Sequence, residues 1–240
     1  TATAIAAGGS HSCAILDNAA VKCWGRNDRG QLGLGDQASR GDGANEMGDN
    51  LNAVDLGTGR TAVSITAGSL HTCALLDDYS VKCWGDASYG QMGTGKTFDL
   101  GDAAGEMGDS LTAIDLGTSR TATAIAASGA TCAVLDNSSI KCWGANALGQ
   151  LGLGDTSNRG NTVQGDGSSQ MGDNLPSIDL GTGRTARGVI TGDYHTCTIM
   201  DNSSIKCWGY NASGQLGIGD TDSRGDGANE MGDNLPSISF

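Results

Sequence analysis

The stretch HSCAILDNAAVKCWGRNDRGQLGLGD, His11 to Asp36, decides the fold, because close copies of it return three more times along the chain. Cys13 and Cys23 recur as Cys73 and Cys83, Cys132 and Cys142, and Cys197 and Cys207, each pair ten positions apart and each second cysteine followed by tryptophan. These pairs use all 8 cysteines. The Trp-Gly step returns at Trp24, Trp84, Trp143 and Trp208, and GQLG begins at Gly30, Gly90 (as GQMG), Gly149 and Gly214. A period near sixty residues marks a repeat array rather than unrelated domains. The repeats run over residues 1–60, 61–120, 121–184 and 185–240.

The spacing within the motif predicts a hairpin. Pairing Cys13 with Cys23 puts Ile15 opposite Val21 and Leu16 opposite Ala20, and leaves Asp17, Asn18 and Ala19 as the loop. That register keeps one set of side chains on one face. Directly opposed residues have Cα atoms about 4.5 to 5.5 Å apart, within reach of a disulfide. Zinc is the competing use of these cysteines, since His11, His71 and His195 each sit two residues before one. A tetrahedral site needs four N or S ligands, and the third repeat has no histidine. The even count and opposed register favour four disulfides, and with them an oxidising compartment.

Outward from the hairpin, each repeat opens on a small alternating apolar stretch (TATAIAAGG, TAVSITAGS, TATAIAASG, TARGVITGD) that reads as an inner strand ended by a glycine turn. Beyond GQLG lies an acidic loop, variable in length, in which EMGD or QMGD and DLGTGR or DLGTSR return. The third repeat carries extra residues there (NTVQGDGSSQ), an insertion expected in a surface loop. With 40 glycines, 2 prolines and 4% aromatics, the chain suits short strands and tight turns, hence an all-β fold. One such unit buries too little apolar surface to stand alone, so stacking and staples are both expected.

Charge excludes some partners. Fourteen basic against 27 acidic residues give a net charge of −13, which repels phosphate backbones and anionic headgroups. Nucleic acid is therefore not an expected partner. No run approaches the eighteen or so apolar residues of a membrane span, and no basic segment followed by an apolar core opens the chain. A start at Thr1 rather than Met reads as a processed or trimmed product.

The segment GSLHTCALLDDYSVKCWGDASYGQMGTG and its sisters resemble the repeat of the regulator of chromosome condensation family. In that family a glycine, a histidine, a hairpin, Trp-Gly, Asn and GQLG recur once per blade of a seven-bladed β-propeller. The resemblance covers the whole chain, and the paired cysteines and acidic EMGD loop resemble the secreted branch. It implies blade-like repeats, with four blades filling a little over half of such a ring. Two departures stand out: the third repeat reads ASGATCAV, one residue short and without histidine, and Ala19, Tyr79, Ser138 and Ser203 replace the usual glycine of the hairpin turn. Fold does not carry activity with it, and the chain lacks the basic surface used by the family's chromatin-docking exchange factor.

The histidines occupy one repeat position and none has a nucleophile and orienting acid peculiar to its own copy, so they read as structural and the chain as non-enzymatic. The tryptophans read as wedges between blades. Asp36, Asp42, Glu46 and Asp49, with Asp220, Asp226, Glu230 and Asp233, are the carboxylates that could converge on calcium, although their spacing fits no standard calcium loop and turn capping with ion pairs to Arg40 and Arg224 is the competing role. No other cofactor is implied. Asn137, Asn202 and Asn211 open sequons, two of them at hairpin tips. The expected function is an extracellular structural or adhesive protein whose open ends associate head to tail as a superhelical filament, Phe240 and Ile238 of one chain beside Ile5 of the next. The alternative is a secreted module gripping a protein or glycan through its acidic loops.

Overall fold

The residues of each repeat fold as their alternation predicts. The computed structural model describes residues 1–161 and 169–240. In the first repeat β1 (Ala2–Ala7), β2 (His11–Leu16) and β3 (Val21–Gly25) form one antiparallel sheet in the order β1-β2-β3. The same sheet returns as β4 (Ala62–Ala67), β5 (His71–Leu76) and β6 (Val81–Gly85), as β7 (Ala122–Ala127), β8 (Ala130–Leu135) and β9 (Ile140–Gly144), and as β10 (Ala186–Thr191), β11 (His195–Met200) and β12 (Ile205–Gly209). The fold is therefore all-β, four blade-like sheets in an open arc. The third repeat's insertion falls largely on 162–168, outside the described residues.

The register is the one that cysteine spacing demands: Cys13 faces Cys23 and Ile15 faces Val21. All four pairs are bonded, each within its own hairpin and with Cα atoms 4.1 Å apart. At the tip, Leu16 N–H donates to Ala20 O and Ala19 N–H to Leu16 O, both at 2.9 Å. Closing three residues this tightly needs a left-handed residue before the second strand. Ala19, Tyr79, Ser138 and Ser203 take that conformation, with φ of 61, 64, 63 and 66°. Past β3 a fourth segment joins by a single bridge, Gly25 to Arg40, and its counterparts are Gly85 to Leu100, Gly144 to Arg159 and Gly209 to Arg224.

Strand alternation gives each blade two faces. His11, Cys13, Ile15, Val21 and Cys23 lie on one, which we call trailing; Ile5, Ala14, Lys22 and Trp24 lie on the other, the leading face. The trailing face of each of the first three repeats is covered by the leading face of the next, and the core sits in these three seams. There the disulfides of the first three repeats are wholly buried, as are Trp84, Trp143 and Trp208. The first strands gather around the axis, and the ends of all four line a hollow of about 270 Å³.

One sequence expectation is corrected here. Asn211 is fully buried, its Nδ2 donating to Asp220 O and Asp222 O at 3.0 Å while its Oδ1 accepts from Leu216 N–H at 2.9 Å. A glycan at that nitrogen is incompatible with the fold. Asn137 and Asn202 do sit exposed at hairpin tips, where their side-chain oxygens close the turn onto Ser139 and Ser204.

Candidate functional site

The seams are built from a small set of polar contacts that recurs at each junction. Trp84 Nε1 donates to Gln31 O of the preceding GQLG run at 3.1 Å, Trp143 to Gln91 O at 3.0 Å and Trp208 to Gln150 O at 3.1 Å. The second lone pair of each carbonyl accepts a threonine hydroxyl, from Thr72, Thr131 or Thr196, at 2.8 to 2.9 Å. Gly33 must be glycine, because a Cβ there would lie 2.8 Å from Trp84 Nε1, with φ at +67°. Lys82, Lys141 and Lys206 each reach back to the carbonyl of Leu56, Leu116 or Leu180 and forward to that of Gly108, Gly172 or Gly232. Burial pulls the Lys141 and Lys206 ammonium groups below the ordinary lysine range, against the pull of Asp173 and Asp233.

The histidines belong to the same seams. Thr72 Oγ1 spends its proton on Gln31 O, so at 2.8 Å it accepts from His11 Nε2–H, and Thr131 does the same for His71. This tautomer leaves Nδ1 bare, and that of His11 is buried with no partner. There a second proton would be buried and unpaired, and burial lowers both imidazoles from 6.5 to about 4.

The acidic loops prove to be clasps. Asp109, Asp173 and Asp233 accept both the backbone N–H and the hydroxyl of Thr58, Thr118 and Thr182 in the preceding repeat. Asp36 and Asp220 pair with Arg40 and Arg224 at 2.5 and 2.7 Å. Glu46 Oε2 takes the N–H groups of Gly41, Asp42 and Gly43, and Glu230 Oε2 those of Gly225 and Gly227. The N–H donors of Gly43 and Gly41 hold Glu46 below the usual carboxylate range, whereas burial and the neighbouring Glu230 push Asp226 above it. Asp49 is exposed in a 3-10 turn, Gly48–Asn50. Among the described residues no three His, Cys, Asp or Glu side chains gather as a metal site.

At the two ends of the arc the same groups stand without their counterparts. On the leading face of the first repeat, Lys22 Nζ donates to Gly48 O at 2.7 Å but has no leucine carbonyl behind it. Trp24 is only half-buried, and Ile5 is 79% exposed where its counterpart Ile65 is buried. On the trailing face of the fourth repeat, Ile190 and Ile199 are 70% and 42% exposed, and Cys197 is partly uncovered. Ile190, Cys197, Ile199 and Ile205 line an apolar hollow of about 220 Å³. Phe240, in register with the buried Leu56, Leu116 and Leu180, is 98% exposed. Each face carries groups that correspond in register to one side of an internal seam.

Comparison with known proteins agrees with this geometry. The regulator of chromosome condensation (RCC1) repeat matches residues 2–31, 62–91 and 191–215. The chain belongs to the regulator of chromosome condensation repeat family. The ultraviolet-B receptor UVR8 of Arabidopsis thaliana is 31% identical over 226 residues, covering 92% of this chain and 44% of the receptor. The probable E3 ubiquitin-protein ligase HERC6 of Homo sapiens is 30% identical over 220 residues, 90% of this chain and 19% of the ligase. Prp20p of Saccharomyces cerevisiae, whose crystal structure was described with its binding to Gsp1p and histones, superposes with a TM-score of 0.70 at 17% identity, covering all of this chain and 51% of Prp20p. The chain thus spans less than half the length of these curated relatives and about half of that structure. It is an RCC1-type, propeller-like repeat protein, a fold of the binding-module kind, with its paired cysteines bonded.

Sequence reading identified the tryptophans and histidines as architectural but missed the seam lysines. Their signal was present, because Lys22, Lys82, Lys141 and Lys206 each stand one residue before the second cysteine on an otherwise apolar strand.

Proposed function

We propose that the chain is a non-enzymatic, extracellular structural protein whose units stack head to tail through their open blade faces. The observation that carries this reading is the complementarity of the ends. Lys22, Trp24 and Ile5 present what a trailing face receives, while Gln215 O, Phe240 and the Ile190 and Ile199 patch present what a leading face needs. A second copy docking there repeats a contact the chain already makes three times internally, and buries the apolar surface that a lone unit leaves in water. Such a contact is heterologous, so it propagates as a filament unless its rotation closes. Four disulfides accord with a secreted setting. The non-enzymatic reading is supported by His11 and His71, whose Nε2–H groups are spent on Thr72 and Thr131 in the seams.

Sedimentation velocity over a concentration series tests it. The expected result is a ladder of species above 24.1 kDa that lengthens with concentration, and in which the Cys197–Cys207 bond becomes protected from reductant. A single 24.1 kDa species at every concentration would overturn it.

A further inference from the structure

The third repeat departs from its sisters, and the departure opens a cleft between it and its two neighbours. Its first turn is one residue shorter: Ser128 N–H donates to Ala130 O, where Gly8, Gly68 and Gly192 span to His11, His71 and His195. The histidine position is Ala130, and the residue after Trp-Gly is Ala145, where the other repeats carry Arg26, Asp86 and Tyr210. The result is a cleft of about 220 Å³ over the third repeat, walled by Asp86 and Tyr89 of the second and by Asp193 and Tyr194 of the fourth. Gly129 in its floor has to be glycine, since a Cβ there would lie 2.1 Å from Asp193 O.

Gln150, also in the floor, is the telling group. It is 3% exposed, and its Oε1 accepts from Leu148 N–H at 2.9 Å. In the first two repeats the equivalent glutamines donate their Nε2 to an aspartate, Gln91 to Asp86 at 2.6 Å and Gln31 to Asp28 at 3.5 Å. In the third repeat both aspartate positions are alanine, Ala145 and Ala147. Among the described residues Gln150 Nε2 has no acceptor, although the residue is buried and lines the cleft. That amide edge therefore faces the cleft as an open donor.

We propose that this cleft binds a saccharide ring. Gln150 Nε2 asks for an acceptor and the Asp193 carboxylate for a donor: Asp193 Oδ1 already takes the Ser69 and Ser128 hydroxyls at 3.2 and 2.7 Å, leaving Oδ2 for a ligand. A sugar hydroxyl supplies both roles at once. Tyr89 and Tyr194, each about half exposed, offer flat faces for the C–H surface of a ring. No lysine or arginine lines the cleft, so it does not suit anions, and an ammonium ion would leave Gln150 unanswered. The size fits one ring better than a drug-sized ligand, for which pockets run to about 300 Å³ and more. This inference does not depend on stacking, because the cleft opens between loops of the second, third and fourth repeats and not on an end face.

The test titrates the intact chain with glucose, galactose, mannose and N-acetylglucosamine, following side-chain amide resonances and tyrosine fluorescence. At least one sugar is expected to shift the Gln150 amide pair and quench tyrosine. Ala145→Asp restores the acceptor that Gln91 has and fills the cleft, so it should weaken binding at least tenfold while leaving the melting temperature intact. Tyr194→Ala, a change at an exposed ring, should weaken it as well. Absence of any response in the Gln150 amide to all four sugars would overturn the proposal. So would undiminished binding by a folded Ala145→Asp chain, or a response to tetramethylammonium alone.

Discussion

Acidification from pH 6.5 to pH 5 is expected to destabilise the chain through His11 and His71. Burial keeps both neutral in the fold, lowering them from 6.5 to about 4, and at His11 protonation would also place an unpaired N–H on a buried Nδ1. At His71 the nearby His11 adds to the lowering and Asp86 opposes it. Between the two values the unfolded chain binds a proton that the folded chain refuses, so stability is full above pH 6.5 and falls as pH drops toward 4. At pH 5 the difference is about 1.5 units, or about 2 kcal/mol for each histidine and about 4 for the pair. The carboxylates whose values are lowered by hydrogen bonds, such as Asp109 and Asp173 with Thr58 and Thr118, act in the same direction but only near and below their ordinary value of 3.8, so the window isolates the histidines. The assay is urea unfolding, followed by tryptophan fluorescence, for the wild type and for a His11→Gln/His71→Gln chain that keeps an N–H for Thr72 and Thr131. The wild type should lose stability across the window and the variant should lose far less. Equal losses would refute the seam assignment of both histidines.

Other outcomes follow from burial and backbone geometry. Under limiting reductant and alkylating agent, Cys197 and Cys207 of the monomeric chain should be labelled before the other six, since only that bond lacks a covering blade; uniform labelling would contradict the seam description. Ser138→Gly should raise stability by about 0.5 to 1 kcal/mol by relieving a left-handed residue at φ 63°, read as an upward shift in the unfolding midpoint. Gly33→Ala should lower stability by more than 1 kcal/mol, because the new Cβ meets Trp84 Nε1 at 2.8 Å on a backbone that disfavours it. Millimolar calcium should leave the melting temperature unchanged, given that Asp36, Glu46, Asp220 and Glu230 already have partners; a chelator-reversible rise would restore the calcium reading.

Much of the fold was legible because repetition made local signals unambiguous. Ten-residue cysteine spacing fixed the hairpin register, and the strands follow it at Cys13 to Cys23 and in every later repeat. What one repeat's sequence could not reveal was what lies against it. The acidic loop looked like a ligand surface because its carboxylates are polar and variable, yet Asp109 and its counterparts are spent on the threonine of the preceding blade. Asn211 looked like a sequon for the same reason: a three-residue pattern carries no information on burial, and the turn anchored by that asparagine consumes its nitrogen. The cleft over the third repeat was the reverse case. The short third repeat and its missing histidine were visible in the sequence, but the space they vacate is defined by Tyr89 and Tyr194 from the two neighbouring blades.

The claim that this chain carries the two halves of one seam at its ends is tested most directly by mixing two blocked chains. Ile5→Asp/Lys22→Glu disables the leading face, and Ile190→Asp/Ile199→Asp disables the trailing face. Each chain alone should sediment as a monomer of 24.1 kDa, because a heterologous contact needs one face of each kind. Mixed in equal amounts they should form a one-to-one dimer that grows no further. Two monomers that ignore each other, or either blocked chain pairing with itself, would contradict the account.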